Sequence, residues 1–472
     1  MNYHTQQVRL SVDDATRALI EFECEAANSL YNAVLYTIRR AYFEENQDFY
    51  LAPGSDDVPR QYRKLSQVKG VSYGKLCAQF KDEPHFKCMT SAMAQQTIKS
   101  VVEAVTSYNA LLKAYFKGGM TGRPSLPSYR TSRGLAPLAT PARWVKWDLE
   151  TGECILPMGK AVKDDILSVL QLSEVRINGG YGFKPDQVKE VRVVPKLGEF
   201  YIEYVYTTPK AIATDLDPTQ ALGIDHGRDN WLTCVSTLGK SFIIDGRKLK
   251  SLNQFYHKRV AQIKTGKPEK YWDCELDRIT TKRNNQMRDA VNKTARFIVN
   301  YCLKNRIGQV VFGWNKGHKD GSNMSRLQNQ QFVQIPTGRL KERLRQLCGE
   351  CGIEFVETEE AYTSKASFLD GDSLPRHGEK PSQWRASGKR VQRGLYRASN
   401  GEVVNADCNG AANIIAKVAT QLGINLAKVG RGALNLPKRY DAFSDLSRLY
   451  RGVADRITLA CAQATNLESL VF

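Results

Sequence analysis

The chain predicts a multidomain α+β protein, and three successive patterns along it carry that expectation. Residues 12 to about 118 place apolar side chains at helical spacing, as in ALIEFECEAANSLYNAVLYTI and AMAQQTIKSVVEAVTSYNALLKAYF. After a Gly/Pro-rich connector, KGGMTGRPSLPSYR, short alternating runs separated by turn residues take over to about residue 220. Beyond that point strands and long helical stretches interleave. A length of 472 residues with 42% hydrophobic content allows about two to four domains with substantial cores.

The elements follow in order. VRLSV alternates as a strand does, and residues 12–130 form a helical domain. VKWDLETGECILPM, LSVLQLSEVRI, VKEVRVVPKL and EFYIEYVYTTP then read as short strands; residues 1–11 and 131–220 together are expected to close a small β-barrel. A third section, residues 221–362 and 404–430, opens with ALGIDHG, WLTCVST and SFIID. The arrangement suggests a three-stranded meander opening an RNase H-like α/β domain. It continues through a long basic helical stretch, strand QVVFG, amphipathic helix TGRLKERLRQLC, strand GIEFVETE and a helix after NADCNG. Residues 363–403 interrupt it as a basic insert, and residues 431–472 are a tail without a clear pattern.

Charge narrows the partners. The balance of 68 Lys+Arg against 49 Asp+Glu gives +19 and a pI near 9.4, the electrostatic footprint of a protein that binds a polyanion. An anionic membrane fits less well. There is no apolar stretch of roughly 18 residues, and the start MNYHTQQVRLSVDD lacks the apolar core of a signal peptide. A cytoplasmic nucleic-acid-binding protein is expected. The eleven cysteines are scattered, mostly within apolar patterns such as FIVNYCL, and read as reduced. Cys348 and Cys351 form one CxxC without a second pair at usable spacing, so they are assigned to a helix end rather than to zinc.

The third section carries the chemistry. Asp225 ends the apolar strand of GIDHG, and Asp407 with Asn409 opens the Ala/Ile-rich helix of NADCNGAANIIAKVATQL. Alone, either aspartate is a turn or helix cap. Together they mean more, because Gly410, Ala411 and Ala412 let that helix lie close to the sheet and bring its carboxylate toward the end of the first strand. Magnesium prefers hard oxygen ligands, and metal-dependent phosphodiester chemistry needs carboxylates gathered from distant segments.

These motifs resemble the transposon-encoded TnpB family of RNA-guided nucleases, relatives of compact type V CRISPR effectors. The resemblance rests on GIDHG, YTSKASFLDGD, RGLYRASNGEVVNADCNGAANI, KRNNQMRD before QVVFGWNKGHK, and the early LYNAVLYTIRR, AQQTIKSV and LPSYR, and it spans residues 1 to about 420. It implies a helical recognition domain, a wedge-like β-barrel and a RuvC nuclease domain assembled on a guide RNA, transposon-derived or CRISPR-derived, and a double-stranded DNA target. It also implies Mg2+ or Mn2+ as cofactor and a prokaryotic cytoplasmic location, at the nucleoid when on target. Oligomeric state is left open. Duplex-motif reading by Tyr73, Lys75 and Gln96 is a further implication, and Lys282, Arg283 and Arg288 are candidates for the heteroduplex channel.

Two departures from that family matter. Its four-cysteine zinc ribbon is missing, since residues 363–405 hold no cysteine, and structural zinc is not expected. The insert SLPRHGEKPSQWRASGKRVQRGLYR instead holds seven Lys/Arg against the single acid Glu379. Lys365, Trp384, Arg390 and Arg393 are therefore candidates for contact with the target strand, by phosphate neutralisation and base stacking. The second departure is at QVVFGWN, where the family's second-segment glutamate is replaced by Gly313. Adjacent strands lie about 4.8 Å apart, so a glutamate leaving GIEFVETEE is within reach; Glu357, Glu359 and Glu360 are candidates, and Glu360 is preferred. The expected activity is RNA-guided DNA cleavage at Asp225, Glu360 and Asp407. The alternative is a nuclease-inactive, RNA-guided DNA-binding protein acting in repression or in transposition targeting. A guide-free resolvase has no use for the amino-terminal domains.

Overall fold

The computed structural model describes residues 2–45, 72–120, 122–159, 183–208, 215–315 and 335–446, with short pieces between 162 and 177. The chain divides into two compact units, Met1–Pro209 and Lys210–Phe472. The helical segment and the strands expected to form separate domains thus share the first unit.

In that unit, helices α1 (Asp14–Glu45), α2 (Tyr73–Phe80), α3 (Pro84–Lys87) and α4 (Ser91–Phe116) each begin beside a polar side chain that accepts an otherwise unpaired N–H. Asp13 accepts from Thr16 at 2.7 Å and Thr90 from Met93 at 3.1 Å. Strands β1 (Asn2–Arg9), β2 (Leu138–Pro141), β3 (Lys146–Trp147), β4 (Cys154–Leu156), β5 (Val175–Ile177), β6 (Val188–Lys196) and β7 (Glu199–Thr208) follow. They form two open antiparallel sheets, β1-β7-β6-β2 and β3-β4-β5. The closed barrel is not formed by the described residues. Strands β3 to β5 have only two or three residues each, and Pro141 at the end of β2 has no N–H with which to extend a ladder. One core joins helices and sheet, with Leu30, Val34, Ile98 and Val101 packed together with Val191, Val193 and Ile202.

The second unit is built on a six-stranded sheet. Strands β8 (Asp217–His226), β9 (Asn230–Ser236) and β10 (Lys240–Asp245) form the expected antiparallel meander. Strand β11 (Ile307–Gly313) runs parallel to β8, and β12 (Glu354–Thr358) runs parallel to β11. Helices α5 (Arg247–Lys264), α6 (Cys274–Lys304) and α7 (Thr337–Cys351) lie between them in sequence. Helix α7 ends at Gly352 in the left-handed region (φ 75°), so Cys348 and Cys351 do close a helix. One sheet face, with Leu222, Ile224, Leu232 and Phe312, shares a core with Met287, Ile298, Leu340 and Leu344 of α6 and α7. Ala221 and Val311 turn to the opposite face and pack with Ile414 and Ile415. Burial on both faces is why ALGI and QVVF read as unbroken apolar runs.

The insert carries a small antiparallel sheet of β13 (Lys389–Gln392), β14 (Leu395–Arg397) and β15 (Val403–Asn405), from which the chain enters α8 (Ala406–Leu422). The tail, unpatterned in sequence, continues through α9 (Arg431–Asn435) to β16 (Lys438–Asp441), which adds a sixth strand parallel to β10. Residues 447–472 and the KGHK of QVVFGWNKGHK lie outside the described residues. Every cysteine among the described residues is a free thiol, and no helix among them is long and apolar enough to cross a membrane.

Candidate active site

Asp225 is the penultimate residue of β8 and shares the α8 face with Gly223. Close packing explains both glycines nearby. A Cβ at Gly223 would stand 2.5 Å from the carbonyl oxygen of Ala411, and one at Gly410 would stand 2.9 Å from Oδ2 of Asp225. Helix α8 therefore presses its small residues onto the strand and brings its first turn to the strand end. The capping role there falls to Asn405, whose Oδ1 accepts from the N–H groups of Asp407 and Cys408, each at 3.0 Å. This leaves the Asp407 carboxylate to face outward. Its Oδ2 accepts from Asn230 at 2.6 Å and its Oδ1 from Arg390 at 3.2 Å. Asn409 is buried and holds the start of the insert, accepting from the N–H of Phe368 and donating to the carbonyl of Ala366.

Glu360 follows β12 by two residues. The parallel ladder continues past Gly313, with the Trp314 N–H donating to the Thr358 carbonyl at 2.8 Å. Asn315 then holds Glu360 from both ends: its Oδ1 accepts from the Glu360 N–H at 2.9 Å, and its Nδ2 donates to Oε2 at 3.3 Å. The Glu360 side chain lies in the space that a side chain at Gly313 would fill. A Cβ there would be 2.9 Å from its Cγ and Oε1, and 2.5 Å from Cδ1 of Ile414. Oε1 is buried and accepts no hydrogen bond, with Nε2 of His226 at 3.4 Å.

The electrostatics are those of crowded carboxylates. Burial raises the Glu360 carboxyl to about 7. Asp225 is raised well above the ordinary range by burial first, and then by the negative charges of Glu360 and Asp407. The other two candidates are committed elsewhere. Glu357 pairs with Lys341 at 2.9 Å and with Arg345, while Glu359 pairs with Lys417 at 2.8 Å and accepts from the His377 N–H. Among the described residues no three His, Cys, Asp or Glu side chains converge closely enough to grip an ion as they stand.

A cleft of about 640 Å³ opens beside Asp225 and Asp407 and is rimmed by Arg247, Arg390, Arg393 and Arg439. Glu360 is not part of its wall. The insert thus delivers Arg390 and Arg393 to the site; Arg393 pairs with Asp229. Trp384 packs on Tyr362 at 5.4 Å and donates to the Ser373 carbonyl, and the exposed Lys365 lends its carbonyl to the Tyr396 hydroxyl. Lys282 and Arg288 are exposed on α6. Arg283 is not: half-buried, it donates to Asn253 of α5 at 2.8 Å and lies 5.7 Å from the Tyr256 ring, which makes it a tie between helices. Tyr73 and Lys75 are exposed on α2, which packs against α4, where Gln96 is half-buried. Sequence reasoning missed Asn230, His226 and Arg439. His226 was signalled by its place in GIDHG; Asn230 and Arg439 had no signal.

The fold and site define a mixed α+β protein with an arginine-rimmed acidic cleft at the end of a central sheet. The model of a family described as probable transposase, OrfB_IS605, matches residues 203–318. The fold is similar to that of a Cas12f1 protein solved by cryo-EM with sgRNA and target DNA, at TM-score 0.52 and 16% identity over 84% of this chain and 81% of that one. A CRISPR-Cas12f ternary complex matches at TM-score 0.30 and 14% identity, over 83% and 80% of the two chains. A mini-RNA-guided CRISPR endonuclease matches at 0.40 and 10%, over 91% and 93%. At those two scores neither adds to the first. No curated protein matches significantly. These matches agree with the resemblance to the TnpB family: a transposase-family model matches part of the chain, and the fold is similar to that of a Cas12f1 protein.

Proposed function

We propose that this protein is an RNA-guided DNA endonuclease with an RNase H-like, RuvC-type site in which Asp225, Glu360 and Asp407 are the metal ligands. One observation carries the reading: the Glu360 carboxylate fills the space left by Gly313 and keeps a buried oxygen without a hydrogen bond. A buried carboxylate oxygen whose near partner, Nε2 of His226, stands at 3.4 Å without a hydrogen bond is costly unless something else binds it. Three carboxylates are the hard oxygen donors that a divalent cation prefers, and the repulsion from Glu360 and Asp407 that raises Asp225 is what an ion drawing them together would relieve. Magnesium or manganese supplies, when bound, charge neutralisation and a more acidic water. The protein's own groups do the rest. Arg390 and Arg393 hold the target-strand phosphates, Asn230 fixes one Asp407 oxygen, and Asn315 fixes Glu360. Guide RNA reads the sequence, while Lys282, Arg288 and the helical segment with Tyr73, Lys75 and Gln96 position the nucleic acids. A prokaryotic cytoplasmic location follows from this role.

A second reading, RNA-guided binding without cleavage, draws on the ion pair between Arg390 and Asp407, which occupies one carboxylate oxygen. Plasmid cleavage by the purified protein with its copurified RNA separates the two. Asp225→Ala, Asp407→Ala and Glu360→Gln are each expected to reduce cleavage by orders of magnitude while target binding persists, because phosphate contacts do not depend on the metal. A loss confined to Glu357→Gln or Glu359→Gln moves the third ligand to that residue. If the unaltered protein binds target yet never cuts it in magnesium or manganese, the binding-only reading holds.

A further inference from the structure

The carboxyl-terminal strand β16 lies beyond the stretch that resembles the TnpB family, yet it reaches the site. It pairs with β10 in register, setting Arg439 opposite Ile243 and Asp441 opposite Asp245. Tyr440 fixes the strand from the other side, 4.9 Å from the Phe297 ring. The Arg439 guanidinium turns to the cleft, donating to Oδ1 of Asn230 at 2.8 Å and to Oδ2 of Asp245 at 3.0 Å. Asn230 in turn donates through Nδ2 to Oδ2 of Asp407 at 2.6 Å.

These contacts have a direction. A guanidinium only donates and an ionised carboxylate only accepts, so an amide between them is held with its oxygen toward the arginine and its nitrogen toward the aspartate. We infer that Arg439 is a positioning residue: by fixing the amide of Asn230 it aims Asp407, and through it the tail strand becomes part of the catalytic domain. The inference rests on the metal-site reading of Asp407. Without Arg439, the amide loses one of the two partners that set its orientation. Its oxygen is then able to turn toward Oδ2, where two acceptors repel, and the carboxylate is no longer held. Groups that hydrogen-bond a metal ligand usually act through its orientation, and their removal weakens binding about 10-fold to 100-fold; Asn230 would be such a group, and Arg439 acts through it.

The test uses the full chain with its copurified RNA and titrates Mn2+, following bound ion by electron paramagnetic resonance beside the Mg2+ dependence of target cleavage. Arg439→Ala is expected to weaken Mn2+ binding about tenfold and to move the Mg2+ midpoint by a similar factor, with target binding unchanged. Arg439→Lys, which keeps a donor, restores part of the loss. Asn230→Ser matches Arg439→Ala, and the double variant is no worse than either, because both act through one chain of contacts. Lys438→Ala, on the same strand, controls for strand stability and leaves both titrations unmoved. Normal Mn2+ affinity in Arg439→Ala, or losses that add in the double variant, overturns the inference. If Asp407→Asn also binds Mn2+ normally, the site reading itself has failed, and the inference falls with it; if Asp407→Asn weakens binding and Arg439→Ala does not, only the inference falls.

Discussion

At the scale of single residues, Gly313 and Glu360 are two halves of one arrangement. The sequence showed a glycine where a glutamate was expected, and a parallel neighbour strand from which another could reach. The preference for Glu360 over Glu357 and Glu359 came from its place next to AYTSK. What the sequence did not show is the reason for the glycine. Any side chain at 313 collides with Glu360 and with Ile414, so the absent glutamate and the present one exclude each other sterically. Gly313→Ala is therefore expected to push Glu360 out of position and lower cleavage roughly a hundredfold, the scale of loss for a misplaced catalytic group. Target binding by the RNA-loaded protein should be unchanged. Cleavage at the normal rate by Gly313→Ala would mean that the Glu360 carboxylate is not needed where the structure puts it. Arg283 shows the opposite failure. Its charge read as exposure, but it stands four residues before the buried Met287 on the same helix face, where α5 offers Asn253 and Tyr256 beside it.

At the scale of elements, the helices were legible because burying one face forces a period of 3.6, and β8 and β11 because burial on both faces leaves unbroken apolar runs. Strand β16 was not. KRYD has no apolar alternation, since an edge strand partly open to water needs none. Its link to Asn230 spans 209 residues, a distance at which no local pattern operates. The described residues do not close the expected barrel, because the alternation of short strands says nothing about whether their ladders meet. The insert is a third case: the missing cysteines do not say what holds it together. Two aspartates make the cross-links. Asp372 accepts from the N–H groups of Ser367 at 2.7 Å and Ser387 at 3.0 Å, and Asp370 accepts from that of Ser399 at 3.0 Å. Hydrogen bonds to a charged acceptor contribute about 1.5–3 kcal/mol each at most, enough to order a short segment. Asp372→Ala is expected to speed tryptic cleavage within residues 376–393 several-fold and to lower target cleavage, with little change in the main unfolding transition. Trypsin sensitivity equal to that of the unaltered protein would show that the cross-link lies elsewhere.

At the scale of the whole molecule, stability against pH is set by carboxyl groups displaced in opposite directions. Asp217, held by the hydroxyl and N–H of Thr219, lies below its ordinary value of 3.8. Such groups favour the fold above the unfolded value, and their contribution is lost as pH falls through the lowered one. Glu23 does the reverse. It is buried on α1 with Oε1 unpartnered, and burial pushes its carboxyl to about 8 from 4.5, against which only the Gly159 N–H works. With the folded value raised, the native state binds the extra proton. The group is therefore neutral for stability below about pH 4.5 and increasingly unfavourable as pH rises toward 8. Glu23→Gln keeps the shape and removes the titration. The first unit of that variant should match the unaltered protein near pH 4.5, within the acid limb both share, and exceed it by up to about 5 kcal/mol above pH 8. Thermal unfolding across that range, followed by hydrogen exchange in peptides covering α1 and α4, reads the difference directly. Equal stability of the two proteins at alkaline pH would mean that Glu23 ionises in the folded state without penalty, and that the core joining α1 to the sheet admits water.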